Sequence, residues 1–498
     1  AVAPMSRNEL EVQLFSDQLK DAPILRDSDL FRSTVFVDAR KGTDLFDIQP
    51  FLDLRPATIA EKLTNAGTVN LSANQELIIG RGASINVSGG STSYSAGTIR
   101  ESQLSFNGQL VPISQALPGV PYTVVADNFS RTDARWGSTV SITVGGSSSY
   151  VPDYFSGANA GSVNLSTNVD LDRTKALLVL GNLYANTLVS NEQLINQTTP
   201  LGGQLVISAR NLTIDTQTTP LPSQFNFADA LPNANNFVSS INTDFLQNGF
   251  NRIDLSKVDQ VSINQPLNLA SHGSLSVGNL GAGTSTRLNA NINAPNSSVS
   301  FQSQLTTIAN NVTVSTAGRF TNDKAGVRGA LTQEVAKDGG NITLGISSFG
   351  NNVTLDSSAG AAVDFAGHFE AGSPGNIAFG TYDALPNSLS LRSFGFDHGG
   401  ELTIGFGDTA FKRNLFVAST QAQGSGDIAL ASDFFRQGGF SSYKIQAFNL
   451  TIGNNQAADQ TLYTSQQNWR MNSGFLNQAS DQAMANVATP VTLPNFSR

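Results

Sequence analysis

The sequence predicts an all-β fold and, within that class, a right-handed parallel β-helix with loop and helical side excursions. Only 13% of the 498 residues are charged, whereas 45 are Gly, a balance typical of short strands joined by tight turns. One kind of segment recurs from about residue 66 onward: a polar residue, an aliphatic residue, then Thr, Ser or Ala, then an apolar residue, as in NLTI (211–214) and NVTL (352–355). This alternation indicates strands with one buried face.

The spacing of these segments indicates how the strands are arranged. Segments of this pattern begin at residues 352, 376, 401, 427 and 449, which are 24, 25, 26 and 22 residues apart. A repeat of this length is typical of a solenoid, in which each unit buries its apolar face on the next. We therefore expect stacked turns of chain, with Asn side chains at the strand starts forming ladders between turns.

Three regions follow from this pattern and from the composition. Residues 1–62 are rich in charge, and we expect them to pack on the solenoid as a separate segment. Residues 63–455 form the predicted β-helix, with excursions near 112–160 and 216–250, where prolines and aromatic residues concentrate. Residues 456–498 are rich in Gln, Asn and Ala and are predicted to be an extension or a cap.

The composition also excludes several classes of function. The net charge is −9 and no run of Lys and Arg occurs, which argues against nucleic acid as a partner. With no cysteine, disulfides and thiolate metal sites are absent. The segment Gly80-Arg81-Gly82 lacks the third glycine of a dinucleotide loop, because position 85 is Ile. We predict no cofactor apart from the calcium candidate below.

Three acidic residues form the one candidate column for metal binding or catalysis. Asp383, Asp408 and Asp433 are each 25 residues apart and follow segments of the repeated pattern. Carboxylates stacked at strand spacing repel one another unless a cation or water separates them. They are therefore interpreted as a solvated column of turn residues, with a weak calcium site and a pair of catalytic acids as the alternatives.

Several Asn residues lie in N-x-S/T triplets, the acceptor motif for glycosylation. We single out Asn211, Asn311, Asn352 and Asn449 as candidate sites of modification. Most of these triplets coincide with the strand pattern, so the repeat alone also explains them.

Several longer segments carry a resemblance to a known family. They are STVFVDARKGTDLFDI (33–48), GASINVSGGSTSYSAG (82–97), DARWG (133–137), LRSFGFDHGGELTI (391–404) and DFFRQGGFSSYKI (433–445). In this order, over about residues 10 to 450, they resemble a module in the body of large exoproteins of the filamentous haemagglutinin type, the passengers of two-partner secretion.

The resemblance implies a secreted bacterial protein at the cell surface or in the extracellular space, exported by an outer-membrane two-partner secretion transporter. It implies a non-catalytic role in cell adhesion, aggregation or biofilm matrix structure, with a glycan or protein receptor on host cells or matrix, and with self-association as a further interaction. The chain itself is interpreted as a processed product or a piece of a longer protein. Two alternatives stay open: a β-helix carbohydrate-active enzyme, such as a polysaccharide lyase or glycosidase, and a filament-forming structural protein.

Overall fold

The computed structural model contains mostly β-structure in two compact units. It describes residues 2–15, 19–20, 30–124, 129–132, 139–142, 146–167, 176–195, 198–215, 226, 239–324, 335–364, 366–381, 385–405, 414–417, 428–431, 433–453 and 464–492. Unit 1 comprises residues 1–64 and 91–157, and unit 2 comprises residues 65–90 and 158–498. The all-β part of the prediction is confirmed.

The strands are short and are numbered in chain order. Up to residue 215 they are β1 (Val2–Ala3), β2 (Glu9–Gln13), β3 (Thr34–Asp38), β4 (Thr68–Ala73), β5 (Glu76–Ile79), β6 (Ser84–Asn86), β7 (Ser91–Tyr94), β8 (Gly97–Phe106), β9 (Gln109–Pro112), β10 (Thr123–Val124), β11 (Phe129–Thr132), β12 (Thr139–Ile142), β13 (Gly146–Val151), β14 (Tyr154–Gly157), β15 (Ser162–Thr167), β16 (Ala176–Val179), β17 (Asn182–Tyr184) and β18 (Gly203–Asp215). Beyond it they are β19 (Ser240–Asn242), β20 (Phe250–Ile263), β21 (Leu267–Asn268), β22 (Ser274–Val277), β23 (Ser285–Leu288), β24 (Ile292–Asn293), β25 (Ser298–Phe301), β26 (Leu305–Ile308), β27 (Thr313–Ser315), β28 (Arg319–Asn322), β29 (Ile342–Phe349), β30 (Thr354–Asp356), β31 (Ala361–Val363), β32 (Phe369–Ala371), β33 (Ile377–Thr381), β34 (Ser390–Arg392), β35 (Glu401–Ile404), β36 (Asn414–Val417), β37 (Ile428–Leu430), β38 (Ser442–Ile445), β39 (Asn449–Ile452), β40 (Gln467–Met471), β41 (Gln482–Ala483) and β42 (Ala488–Thr492).

The described helices are all a single turn or little more. The α-helices are α1 (Gln49–Asp53), α2 (Asn191–Ile195), α3 (Asp244–Gln247) and α4 (Met484–Val487), and the 3₁₀ segments are Met5–Asn8, Ile59–Glu61, Ile113–Gln115, Phe434–Arg436 and Phe475–Asn477. No helix among these described residues has the length and apolarity needed to cross a bilayer.

Unit 1 is built mainly from antiparallel pairs around a core of its own. Strand β2 pairs with β3, and β8 pairs with β9, β10 and β13. Apolar side chains from both parts of the chain fill this core, including Val12, Val37, Leu104 and Ile113. The expected division therefore differs from the structure: residues 1–64 do not form a unit alone, and the segment that joins them begins at Ser91 rather than near residue 112.

A carboxylate is buried inside unit 1 beside the β3–α1 connection. Glu101 is 5% exposed. Its Oε2 accepts a hydrogen bond from Lys41 Nζ at 2.8 Å, and its Oε1 accepts one from the backbone N–H of Ser114 at 3.1 Å. Burial by itself would raise the pKa of Glu101, but the hydrogen bonds from Lys41 and Ser114 outweigh it and hold the pKa below its ordinary value.

Replacing this carboxylate should make the stability of the chain less dependent on pH. We expect Glu101→Gln to lower the free energy of unfolding by about 1–3 kcal/mol at pH 7, because the buried side chain at position 101 loses its charge-assisted hydrogen bonds with Lys41 and Ser114. A carboxyl whose pKa is lowered by folding stabilises above its unfolded pKa and loses that effect as pH falls through the folded value. The difference between wild type and variant should therefore shrink at pH 3. Urea unfolding at both pH values measures it, with the exposed Glu11→Gln as control, and an equal difference at both values would contradict the pairing.

Unit 2 contains long parallel ladders. Its largest sheet has 15 strands, and a separate five-stranded sheet has the order β21-β24-β27-β30-β34. Pairing is parallel and in register, as in Leu275 with Val299 and Leu402 with Tyr443. Inward positions carry aliphatic and aromatic side chains that form one continuous apolar core, including Leu205, Ile253 and Phe301. Many of these strands, such as β22 and β25, alternate buried and more exposed residues, as the sequence pattern predicts.

The predicted repeat of 22 to 26 residues was expected to lead from each strand to the one stacked on it, and this is wrong for most of the intervals. The segment at 352 leads into β30, which pairs with β27 and β34, whereas the segment at 376 leads into β33, which pairs with β29 and β35. The segment at 427 leads into β37, which pairs with β36 and not with β35. Only the step from 376 to 401 joins strands that pair with each other. Strands in different sheets of unit 2 share the same alternation of apolar and polar residues. The pattern therefore does not show whether two strands pair with each other or belong to different sheets.

Asn side chains connect neighbouring strands, as expected. Asn341 Oδ1 accepts a hydrogen bond from the backbone N–H of Asn376 at 2.8 Å, and Asn376 Oδ1 accepts one from the N–H of Glu401 at 2.8 Å. Amide-to-amide contacts occur as well, for example from Asn289 Nδ2 to Asn264 Oδ1 at 2.9 Å. The side chain thus satisfies a backbone donor at the start of the next strand of the ladder or just before it.

The acceptor at position 341 should matter more than the rest of the side chain. We expect Asn341→Ala to lower local stability by about 0.5–1.5 kcal/mol, because the N–H of Asn376 loses its partner. Asn341→Asp keeps the acceptor and should lie close to wild type. Hydrogen exchange at the amide of Asn376 is the measurement, and equal acceleration in both variants would contradict the ladder.

Candidate functional site

One outward face of unit 2 presents a line of polar side chains, one from each strand of the five-stranded sheet. We call it the polar column, and its members are Asn268, Asn293, Ser315, Asp356 and Arg392. Successive members are register partners across parallel pairs. Residues before them point inward and are buried: Leu267, Ile292, Val314, Leu355 and Leu391. At strand spacing the column spans about 19 Å.

A groove runs beside the polar column. It consists of two cavities of about 300 Å³ and about 120 Å³, which share Asn293 and Arg319 in their linings. Asp356 and Arg392 line the smaller cavity. Ligand pockets in proteins usually have volumes of about 300–1,000 Å³, so the groove has room for a small ligand or for a short length of an extended one.

The C-terminal segment forms the opposite wall. Strands β40 and β42 pair antiparallel, and Trp469 of β40 donates from Nε1 to the carbonyl oxygen of Ala359 at 3.1 Å. The rings of Trp469 and Phe394 lie 4.9 Å apart between centroids. An ion pair between Arg319 and Asp481 fixes the segment at its other end. This described part of the predicted extension therefore packs beside β28, which holds Arg319, and beside Phe394, which follows β34.

Charge in the groove is unevenly distributed. Arg319 is engaged by Asp481, whereas the exposed Arg392 donates from Nε to Ser390 Oγ at 3.1 Å and makes no other side-chain hydrogen bond to the described residues. Asp356 Oδ1 accepts the N–H of Ser358 at 3.0 Å. Burial raises the pKa of Asp356 against the opposing effects of Ser358 and Arg392. Arg392 is thus a cation with unused donors beside a carboxyl whose pKa is raised by burial.

The predicted acidic column is not assembled by the described residues. Asp383 and Asp408 lie outside them, so a calcium site there stays a prediction. Asp433 is exposed and follows β37, which pairs with β36. The strand stacked on β35 is β38, and a column of these three carboxylates stays a prediction. The described part of the chain holds no group of three His, Asp or Glu side chains suited to a metal ion.

Four candidate glycosylation sites lie on or just before ladder strands. Asn352 donates from Nδ2 to Asn311 Oδ1 at 3.0 Å, and Asn449 donates from Nδ2 to Asn414 Oδ1 at 2.7 Å. Asn211 accepts the N–H of Ser239 at 3.2 Å. Asn311, Asn352 and Asn449 are exposed, and Asn211 is half-buried. A sugar on Nδ2 of Asn352 or Asn449 would take one of the two hydrogens of a ladder donor and crowd the neighbouring Asn, so modification of these two stays a prediction with a structural consequence.

Comparisons of the chain with protein-family models, with curated proteins and with solved structures find no match. The groove was missed in the sequence, although a weak signal for it exists. Each column residue follows a buried aliphatic residue, in the dipeptides LN, IN, VS, LD and LR. Such pairs are common in strands, and only the layer assignment makes these five into a line.

Proposed function

We propose that unit 2 is a right-handed parallel β-helix that serves as the stiff, non-catalytic part of a secreted, adhesin-like exoprotein. In this proposal the chain reaches the cell surface or the extracellular space through an outer-membrane two-partner secretion transporter. There it contributes to adhesion, aggregation or matrix structure through a glycan or protein receptor.

The in-register parallel stacking of unit 2 carries this proposal. Strands β20, β22 and β25 pair in sequence, with Ile253 on Leu275 and Leu275 on Val299. Each layer extends the apolar core and the backbone ladder of the one before it, so the stack is stable without disulfides. Such a scaffold suits the display of binding surface, and the family resemblance of the sequence favours the same role.

Adhesion of cells to the purified chain tests the proposal. Surfaces coated with folded protein should retain more epithelial cells than surfaces coated with an equal mass of the heat-unfolded protein. Equal retention on both coats would count against an adhesive role. Export can be tested separately by co-expressing the parent protein with its partner transporter and measuring secretion.

A polysaccharide-cleaving β-helix enzyme is the second candidate, and the groove is the observation that favours it. Asp356 and Arg392 are register partners at its floor, and a carboxyl with a raised pKa is a common general acid. Incubation with polygalacturonate, followed by assays of reducing ends and of unsaturated products, distinguishes the two. The adhesin proposal predicts no cleavage, and product formation that Asp356→Asn abolishes would replace it with the enzyme.

A further inference from the structure

We infer that the groove beside the polar column binds an acidic polysaccharide, with Arg392 contacting a sugar carboxylate and the column contacting the sugar hydroxyls. The inference rests on the proposed function and deepens it, because it names the chemical class of ligand that the scaffold would bind.

The cation at the end of the column indicates a carboxylate as the charged group of the ligand. A guanidinium presents planar donors that match a carboxylate, and such charge-assisted pairs are the stronger hydrogen bonds in proteins. Arg392 is exposed, lines the groove and uses only its Nε in a described hydrogen bond. Asp356 is its register partner on β30, and burial raises the pKa of this carboxyl.

The rest of the column indicates hydroxyl groups. Asn293 and Ser315 line the groove and present an amide and a hydroxyl, both able to donate and to accept. They repeat at strand spacing, so an extended ligand along the groove meets a new polar group about every 4.8 Å. A sugar chain, with hydroxyls on every unit, can satisfy each of these groups in turn.

An extended peptide fits the same groove less well. Peptides that bind β-proteins commonly add a strand to a free sheet edge. Strands β24, β27 and β30 are each paired on both sides, so the floor beneath Asn293, Ser315 and Asp356 offers side chains and no free edge. The net charge of −9 also disfavours general attraction of polyanions, so any such binding has to come from a local site.

Binding of the full chain to immobilised polygalacturonate tests the inference, with dextran as the neutral comparison. Wild type should bind polygalacturonate and not dextran. Arg392→Ala should weaken binding at least about tenfold, because it removes the charge-assisted pair. Arg287→Ala removes an exposed arginine from another ladder strand, β23, and should leave binding unchanged. Ala485→Trp fills the groove from the exposed side of α4 without changing charge, and it should also weaken binding.

The other outcomes either overturn the inference or separate it from the proposed function. An equal loss in Arg392→Ala and Arg287→Ala would identify diffuse electrostatic attraction, and equal competition by poly-glutamate would identify an acidic peptide as the ligand. If folded wild type does not bind polygalacturonate, an acidic polysaccharide is excluded as the ligand of the groove. If cells adhere to the chain but polygalacturonate does not bind, the proposed function stands and the inference fails. If polygalacturonate binds but cells do not adhere, the inference stands and the proposed adhesive function fails.

Discussion

Replacing Gly340 by alanine should destabilise unit 2 more than any conservative change in an exposed strand. A Cβ at this position would lie 1.8 Å from the carbonyl oxygen of Ser297. Gly340 is also held in place, because its N–H donates to the carbonyl oxygen of Thr316 at 2.9 Å and its own oxygen accepts from Thr316 Oγ1 at 2.6 Å. The overlap is with backbone, so no side-chain rotation can relieve it. Overpacking usually costs about 1–3 kcal/mol, and we expect the upper end of that range or more.

Gly67→Ala supplies the matched control. An added Cβ at Gly67 meets nothing within 4 Å, so the same change should lie within about 0.5 kcal/mol of wild type. Urea unfolding followed by circular dichroism compares the two variants, and the yield of soluble protein gives a second measure if Gly340→Ala does not fold. Equal stability of the two variants would contradict the close approach of neighbouring layers.

Local structure in this chain could be predicted from the sequence, whereas the identity of stacked neighbours could not. Asn268 and Asn293 are in contact 25 residues apart, close to the predicted repeat. Asn70 and Asn164 make the equivalent contact 94 residues apart, because the second part of unit 1 lies between them. Alternation reports which way a side chain points. Alternation carries no information on the number of residues that separate one strand from the strand stacked on it.

The same limit explains the site. Asp433 fits a 25-residue repeat in sequence, but the strand before it, β37, pairs with β36, so the repeat alone does not give the layer to which Asp433 belongs. Ser315 and Asp356 look unrelated in sequence, yet they are register partners. A line of side chains along a stack depends on layer assignment, and a single unassigned insertion shifts every later member.

Removal of the Trp469 side chain should release the C-terminal wall of the groove. Trp469 is 9% exposed and packs with Phe394, Phe320 and Met484 in a cluster separate from the main core. Truncation of a buried aromatic residue to alanine typically costs about 3–5 kcal/mol. The segment is also held by the pairing of β41 with β28, by hydrogen bonds from Asn322 Nδ2 to the carbonyl oxygens of Leu476 and Gln478, and by the ion pair of Arg319 with Asp481, so the loss of the indole should loosen it without unfolding unit 2. We therefore expect Trp469→Ala to raise hydrogen exchange across residues 467–492 while exchange in β20 and β22 stays at the wild-type level.

Trp469→Phe separates the packing of the ring from its hydrogen bond. The phenyl ring can still contact Phe394, but the carbonyl oxygen of Ala359 loses the Nε1–H donor that lies 3.1 Å away, a loss of about 1–3 kcal/mol for a buried group. The phenylalanine variant should therefore fall between wild type and alanine. The wall and the polar column enclose the same groove. Binding of polygalacturonate should therefore be weaker in Trp469→Phe than in wild type, and weakest in Trp469→Ala. Unchanged exchange in Trp469→Ala would mean that the segment is held by its other contacts, and the wall would then not depend on the tryptophan.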